Sequence, residues 1–264
     1  MWHETWGEVL SSREVAPGVT KMVVLAPGAV EGLRPGQFFH VRWQESSAPF
    51  LRRPLSAFSA DKQSGTLGLL FRVVGKGTAA MARIMPGSPL SLLGPLGNGW
   101  PAPRSEHAIL LGGGIGVAPL VMAASEYADA GVDVQFLLGA ASASDLLALD
   151  EIRATGARLA IATDDGTAGH HGFVTSLLPA AMSAAPAGKT VVLACGPGPM
   201  LRAVQRACGD AALECFVSLE QRMGCGVGAC LGCAVKAQAP GSQYKKVCTD
   251  GPVFDARTVV IEDV

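Results

Sequence analysis

Four cysteines near the C-terminus, Cys225, Cys230, Cys233 and Cys248, constrain this 264-residue chain more than anything else in it. The first three form C-x4-C-x2-C, and the fourth follows after fourteen further residues. This is the plant-ferredoxin-type spacing for a [2Fe–2S] cluster, whose irons need four thiolates. Gly224, Gly226, Gly228 and Gly232 flank the ligands. Without a Cβ they let backbone N–H groups approach sulfides and thiolates, which offsets the negative charge of such a cluster. A zinc site is the competing reading of any C-x-x-C, but zinc ribbons usually present two such pairs and this chain has one. Cys195, Cys208 and Cys215 read as small buried apolar groups rather than ligands. A disulfide framework is not expected in a chain of this length and character.

The length suits two domains plus a small appendage. Lysine and arginine number 21 against 22 aspartates and glutamates, so no electrostatic footprint for nucleic acid or an anionic membrane is present. Thirty-three glycines exceed the usual share of about 7% and imply tight turns and close approaches of backbone to ligand. The first residues carry acids and no apolar core, unlike a signal peptide. Ala108 to Ser125 is uncharged for eighteen residues, yet three glycines and Pro119 divide it into strand, loop and helix rather than a membrane span. A cytoplasmic protein is expected.

The first hundred residues read as β, with strands at Thr5–Val15, Val19–Leu25, Gly36–Trp43, Leu51–Ser59, Thr66–Val74 and Pro89–Leu93. Their spacing suggests a closed barrel, interrupted by a short helix over Thr78–Met85. Beyond Pro101-Ala102-Pro103 strands and helices alternate. Strands are expected at His107–Leu111, Val132–Leu138, Arg158–Ala162, Thr190–Cys195 and Leu213–Val217. Helices are expected at Ala118–Ala130, Ser144–Ala154, Phe173–Ala184 and Pro199–Cys208. Such alternation implies a doubly wound parallel sheet with helices on both faces. The expected domains are 1–102, 103–217 and a cysteine module over 218–264. In that module a hairpin of Ala234–Ala237 and Tyr244–Val247 around Pro240-Gly241 would fold Cys248 back beside the other ligands.

Two regions carry further chemistry. In the barrel, Arg53-Pro54-Leu55-Ser56, Leu70-Phe71-Arg72 and Gly75-Lys76-Gly77-Thr78 together supply what a flavin dinucleotide needs. They offer guanidinium groups for phosphates, a hydroxyl near the ring and a helix N-terminus facing the pyrophosphate, although Gly-Thr at a helix start also reads as a simple cap. In the second domain Gly112-Gly113-Gly114-Ile115-Gly116 joins the first strand to its helix, where parallel sheets bind phosphates. It is not G-x-G-x-x-G in its usual register, and no acid ends the next strand, so an ordinary Rossmann dehydrogenase is disfavoured. A second loop, Cys195-Gly196-Pro197-Gly198-Pro199-Met200, has glycines that leave room for a flat ring. Asp164, Asp165, His170 and His171 read as turn or loop residues.

In order, Arg-Pro-Leu-Ser, Gly-Lys-Gly-Thr, Gly-Pro-Leu-Gly-Asn-Gly, Gly-Gly-Gly-Ile-Gly-Val-Ala-Pro and Cys-Gly-Pro-Gly-Pro-Met resemble the ferredoxin–NADP reductase superfamily over residues 1–217. The tail, Glu-Gln-Arg-Met-Gly-Cys-Gly-Val-Gly-Ala-Cys-Leu-Gly-Cys and then Lys-Val-Cys-Thr-Asp-Gly-Pro-Val-Phe, resembles the electron-transfer subunits of class 1B dihydroorotate dehydrogenases. The resemblance implies a Greek-key barrel holding FAD, an NAD domain and a [2Fe–2S] domain. It further implies that electrons leave an FMN in a separate catalytic subunit and reach NAD+ through the cluster and FAD, in a heterotetramer.

By matching motif, Arg53, Pro54, Leu55, Ser56, Leu70, Phe71, Arg72, Gly77 and Thr78 would contact FAD, with Ser56 placed to hydrogen-bond flavin N5. Leu55 stands where the superfamily often has Tyr, so aliphatic packing replaces ring stacking. Gly113, Gly114, Gly116, Cys195, Gly196 and Pro197 would line the NAD site. NAD is expected over NADP, because no basic pair follows the second strand. Hydride transfer between flavin and nicotinamide calls for positioning rather than acid–base catalysis, and no Ser-His-Asp or paired-carboxylate constellation is evident. No site for dihydroorotate is detectable, so an obligatory partner is expected. Related diaphorase subunits of transhydrogenases or hydrogenases share these motifs and remain the alternative.

Overall fold

A computed structural model of the chain describes residues 2–43, 50–185, 189–238 and 243–262. The N-terminal third closes into a six-stranded antiparallel barrel. Its strands are β1 (His3–Ala16), β2 (Val19–Leu25), β3 (Phe38–Trp43), β4 (Arg53–Asp61), β5 (Thr66–Arg72) and β6 (Pro89–Leu96), in the order β1-β2-β5-β4-β3-β6. Alternation along each strand decides which side chains face inward. Met22 and Val24, Phe39 and Val41, Leu67 and Leu69, and Leu90 and Leu92 fill the interior with almost no exposure. Each such burial stabilises by about 1.5–3 kcal/mol. A one-turn helix, α1 (Pro27–Val30), contributes Ala29 and Val30 to that core, and α2 (Lys76–Ala82) contributes Met81.

The second unit is a seven-stranded sheet. It comprises β7 (His107–Gly113), β8 (Asp133–Ala140), β9 (Arg158–Thr163), β10 (His170–His171), β11 (Thr190–Cys195) and β12 (Glu214–Ser218), all parallel. The helices are α3 (Ala118–Asp129), α4 (Leu149–Ala154), α5 (Leu178–Ala184) and α6 (Gly198–Asp210). Successive β7 residues pack on opposite sides, as strand geometry requires. Ile109 and Leu111 meet α5 and α6 through Leu178, Leu201 and Val204. Ala108 and Leu110 meet α3 and α4 through Leu120, Ala124 and Ile152. The uncharged stretch at 108–125 is therefore β7, a tight turn and the start of α3. No helix of the described residues is long and apolar enough to cross a membrane.

The last fifty residues are tied to both units. A two-stranded ribbon of β13 (Ala234–Lys236) and β14 (Tyr244–Lys246) carries the expected hairpin, whose Pro240-Gly241 turn lies outside the described residues. The chain then returns as β15 (Val253–Asp255), which pairs antiparallel with β12 and completes the sheet. The loop after β6 clasps this return. Asn98 N–H donates to the Gly251 carbonyl at 2.6 Å, and its side-chain amide donates to Asp250 O at 3.0 Å. Gly97 is glycine by necessity, since its φ is +70° and a Cβ would stand 2.5 Å from Gly251 O.

Several expected elements take a different form. The helix expected over Ser144–Ala154 is a 3-10 turn at Ala143–Asp145 followed by α4 alone. Ala148, at φ 58°, breaks the continuity between them. The helix expected from Phe173 starts as a 3-10 turn over Val174–Leu177 and becomes α5 only at Leu178. His170 and His171 form a two-residue edge strand beside β9 rather than a free loop. Asp165 does serve a turn, accepting from Thr167 N–H and hydroxyl.

Candidate functional site

Arg53 opens β4, and its guanidinium lies across Gly77 at the start of α2. A Cβ on Gly77 would stand 2.5 Å from Arg53 Nη2, so glycine there makes room for the arginine. The guanidinium, which also donates to the Leu51 and Arg52 carbonyls, thus lies beside the first turn of α2. The Thr78 hydroxyl is engaged within the loop that precedes α2. It accepts from Val74 N–H at 2.9 Å and Gly75 N–H at 3.2 Å, and so holds the loop in shape. Pro54, Leu55, Ser56 and Arg72 are half-buried around the same region. Leu70 and Phe71 are buried, Leu70 in the core shared with the α/β unit and Phe71 inside the barrel.

Adjacent arginines divide the work. Arg52 turns away from Arg53 and donates to the His40 carbonyl at 3.1 Å, Ser91 Oγ at 2.9 Å and Glu4 Oε1 at 2.7 Å. The Ser91 hydroxyl, and then Arg52, hold the Glu4 carboxyl below its ordinary value. Arg52 is thus a structural residue that ties β1, β3 and β6 together.

In the α/β unit the strand order reverses between β7 and β11, and the loops leaving both strands meet at that switch point. At Gly116 the contact is with backbone, since a Cβ there would stand 2.6 Å from the Cys195 carbonyl carbon. At Gly113 and Gly196 it is with the Met200 side chain, where a Cβ would stand 2.7 Å from Sδ and 2.5 Å from Cε respectively. Gly114 alone in this set faces open space, at φ +55°. Beside the loops lies a cleft of about 530 Å³ whose walls include Gly196, Pro197, Leu219, Glu220, Arg222 and Ile261. Burial, and then the Glu220 carboxylate, push the Cys195 thiol well above its ordinary value, so it stays neutral. The protein crowded around Glu220 raises that carboxyl too, although its outer side opens onto the cleft.

The four tail cysteines stand as two thiol pairs. Cys225 interacts with Cys230, and Cys248 with Cys233. Among the described residues no three His, Cys, Asp or Glu side chains converge tightly enough for a single metal ion. Two pairs suit a binuclear cluster, in which each iron takes two thiolates. Cys225 Sγ accepts N–H bonds from Val227 (3.4 Å), Ala229 (3.3 Å) and Cys230 (3.4 Å), as a cluster thiolate does. Burial alone would raise this thiol, but the Val227 and Cys230 N–H groups with the Cys230 side chain and Ala229 bring it down to about 7. Gly226 (φ +73°) and Gly228 (φ +81°) supply the left-handed turns that curl the loop around Cys225. Cys233 and Cys248 are buried while Cys230 is exposed.

His40, which sequence reasoning did not single out, joins the two cofactor regions. It lies on β3 opposite Pro54 of β4 and is 0% exposed. A Cβ on Gly226 would stand 2.7 Å from its Nδ1, so the imidazole presses directly on the cysteine loop. Burial, with Arg52 next, lowers it to about 4 and keeps the ring neutral. Its only signal in the sequence is a histidine interrupting an apolar run, Phe38-Phe39-His40-Val41.

Comparison with known proteins agrees with this division. Residues 8–100 match the oxidoreductase FAD-binding domain, residues 110–206 the oxidoreductase NAD-binding domain, and residues 220–260 the iron-sulfur cluster binding domain of dihydroorotate dehydrogenase B. The chain therefore holds FAD, NAD and iron–sulfur modules. A dihydroorotate dehydrogenase B (NAD(+)) electron transfer subunit from Desulforamulus reducens is 42% identical over 97% of each chain. The like-named protein of Bacillus caldolyticus is 41% identical over 96% of this chain and 97% of its own. Among solved structures, an NADH-dependent reduced ferredoxin-NADP oxidoreductase superposes with a TM-score of 0.86 at 28% identity, covering 97% of this chain and 90% of that one. The barrel, the switch-point loops and the paired thiols thus occur in one chain whose relatives match end to end, and it belongs to the family of dihydroorotate dehydrogenase B electron-transfer subunits.

Proposed function

We propose that this chain carries electrons from an FMN-bearing dihydroorotate dehydrogenase subunit to NAD+, within a heterotetramer in the cytoplasm. One observation carries the reading: the cysteine loop packs at Gly226 against His40 on β3, the strand hydrogen-bonded to the flavin-motif strand β4. FAD and the cluster, when bound, supply the exchange between one-electron and two-electron chemistry. Cys225 with Cys230, and Cys233 with Cys248, hold the two irons. Arg53 and the α2 N-terminus hold the pyrophosphate, and Ser56 hydrogen-bonds flavin N5. A Ser56→Ala variant that reduces its flavin with NADH as fast as the parent would refute that last role. The loops at Gly114 and Gly196-Pro197 receive NAD and align the nicotinamide, a positioning task that needs no general base. Seven free cysteines are in keeping with a reducing compartment.

Reconstitution tests the whole. Mixing this chain with the FMN subunit should give dihydroorotate-dependent NAD+ reduction that neither protein shows alone. The likeness to the ferredoxin-NADP oxidoreductase favours, as a second reading, a transhydrogenase partner. That reading wins if reduced ferredoxin supports NAD(P)+ reduction by this chain and the FMN subunit does not.

A further inference from the structure

His40 is enclosed on every side. Phe38 meets its ring edge-on at 6.5 Å, the Gly226 backbone covers Nδ1, and Pro54 sits opposite on β4. Neither Nδ1 nor Nε2 has a hydrogen-bond partner, although the ring is fully buried. A neutral imidazole carries one N–H donor and one acceptor, and leaving either unmade in a protein interior is unfavourable. A leucine or methionine would fill this space without that cost, so simple filling does not account for a histidine. The surface it presses on is the Cys225–Gly226 segment, and the Cys225 backbone is close enough to act on the ring.

We infer that His40 is a positioning residue for the cluster: its ring N–H donates to the Cys225 backbone and pins the cysteine loop to the flavin-binding barrel. The inference rests on the [2Fe–2S] assignment of the four cysteines. The bond is not closed to hydrogen-bond length here. Gly226 is what permits the approach, since any side chain there would strike the imidazole. Partners at this remove from a metal, when deleted, typically cost 10- to 100-fold in metal affinity.

The test compares His40→Gln, which keeps an N–H donor, with His40→Met, which has similar bulk and none. Flavin content reports whether the barrel is intact in each. Cluster loss to a ferrous chelator should be about tenfold faster in His40→Met than in the parent, and near parental in His40→Gln. The cluster midpoint, followed by paramagnetic resonance, should fall in His40→Met by about tenfold in reduction constant, or 59 mV, and recover in His40→Gln. Equal behaviour of the two variants in both measurements, whether parental or impaired, overturns the role. A parent that assembles no paramagnetic cluster would instead overturn the iron–sulfur assignment itself.

Discussion

The guanidinium of Arg53 and the Cα of Gly77 are in direct contact, and no side chain fits between them. Twenty-four positions apart in sequence, they belong to different elements, β4 and α2, that the barrel brings side by side. The contact explains why a glycine sits inside a helix, where it ordinarily costs about 0.5–1 kcal/mol relative to alanine.

Gly77→Ala should therefore separate folding from cofactor binding. The backbone there does not need glycine, so the apoprotein melts at the parental temperature or slightly higher. Arg53 is displaced, and loss of a charge-assisted bond worth about 1.5–3 kcal/mol weakens FAD roughly ten- to a hundredfold. Flavin fluorescence quenching on titrating apoprotein measures this. Parental affinity with a parental melt would show that Arg53 does not hold the pyrophosphate.

Cys230 is the exposed member of its thiol pair. Cys230→Ser should abolish the paramagnetic signal of the reduced protein and stop dihydroorotate-dependent NAD+ reduction in the reconstituted complex. NADH:dye activity, which needs only the flavin, should stay within about twofold of the parent, because the FAD-binding module (residues 8–100) and the iron–sulfur module (residues 220–260) are separate segments. Loss of dye reduction as well would mean that the two sites are not separable.

These predictions draw on features of unequal legibility. The iron–sulfur module is legible because C-x4-C-x2-C is local, and the barrel and alternating α/β unit because their hydrophobic periods are strong. The uses of Gly113, Gly114 and Gly116 are not. A glycine signals that a Cβ is excluded, but whether protein or cofactor excludes it is decided by tertiary neighbours, here Met200 and Cys195. Val253–Asp255 is too short to show a strand period, and its pairing with β12 emerges only once the clasp at Asn98 returns the chain. Strand alternation sends the adjacent Leu70 and Phe71 side chains into different cores, which the sequence run alone does not show.

The barrel and the α/β unit are bridged by Lys21 and Glu151, 2.6 Å apart. Burial alone would raise the Glu151 carboxyl, but Lys21, with a backbone N–H and Arg13, brings the net shift downward. A carboxyl lowered by folding stabilises at neutral pH, and that contribution fades as pH falls below the ordinary glutamate value of 4.5. Glu151→Gln should cost about 0.5–1 kcal/mol at pH 7, the range of a partly exposed pair, and nothing once the carboxyl is protonated. Melts of both proteins from about pH 7 down to about pH 2.5, below the lowered carboxyl, check this. A constant gap would show that the ion pair is not its source.

Gly116 and Gly114 sit two residues apart in one loop and should respond to alanine in different ways. At Gly116 the obstacle is the Cys195 backbone, which no rotamer change can move aside. Gly116→Ala must push the two switch-point loops apart, at the 1–3 kcal/mol typical of overpacking, about 2 kcal/mol here. The melting temperature should fall, and NADH affinity with it, since the crevice is widened. At Gly114 there is space, but a left-handed φ of +55° disfavours alanine by about 1–2 kcal/mol. Gly114→Ala is the smaller thermal defect, yet it adds a methyl on the open side where the dinucleotide would lie. The ratio of NADH affinity loss to thermal loss should therefore be larger for Gly114→Ala than for Gly116→Ala. Isothermal titration with NADH beside calorimetric melts gives both numbers. The reverse ranking would place the dinucleotide against the buried side of the loop, where the structure has Met200 and Cys195.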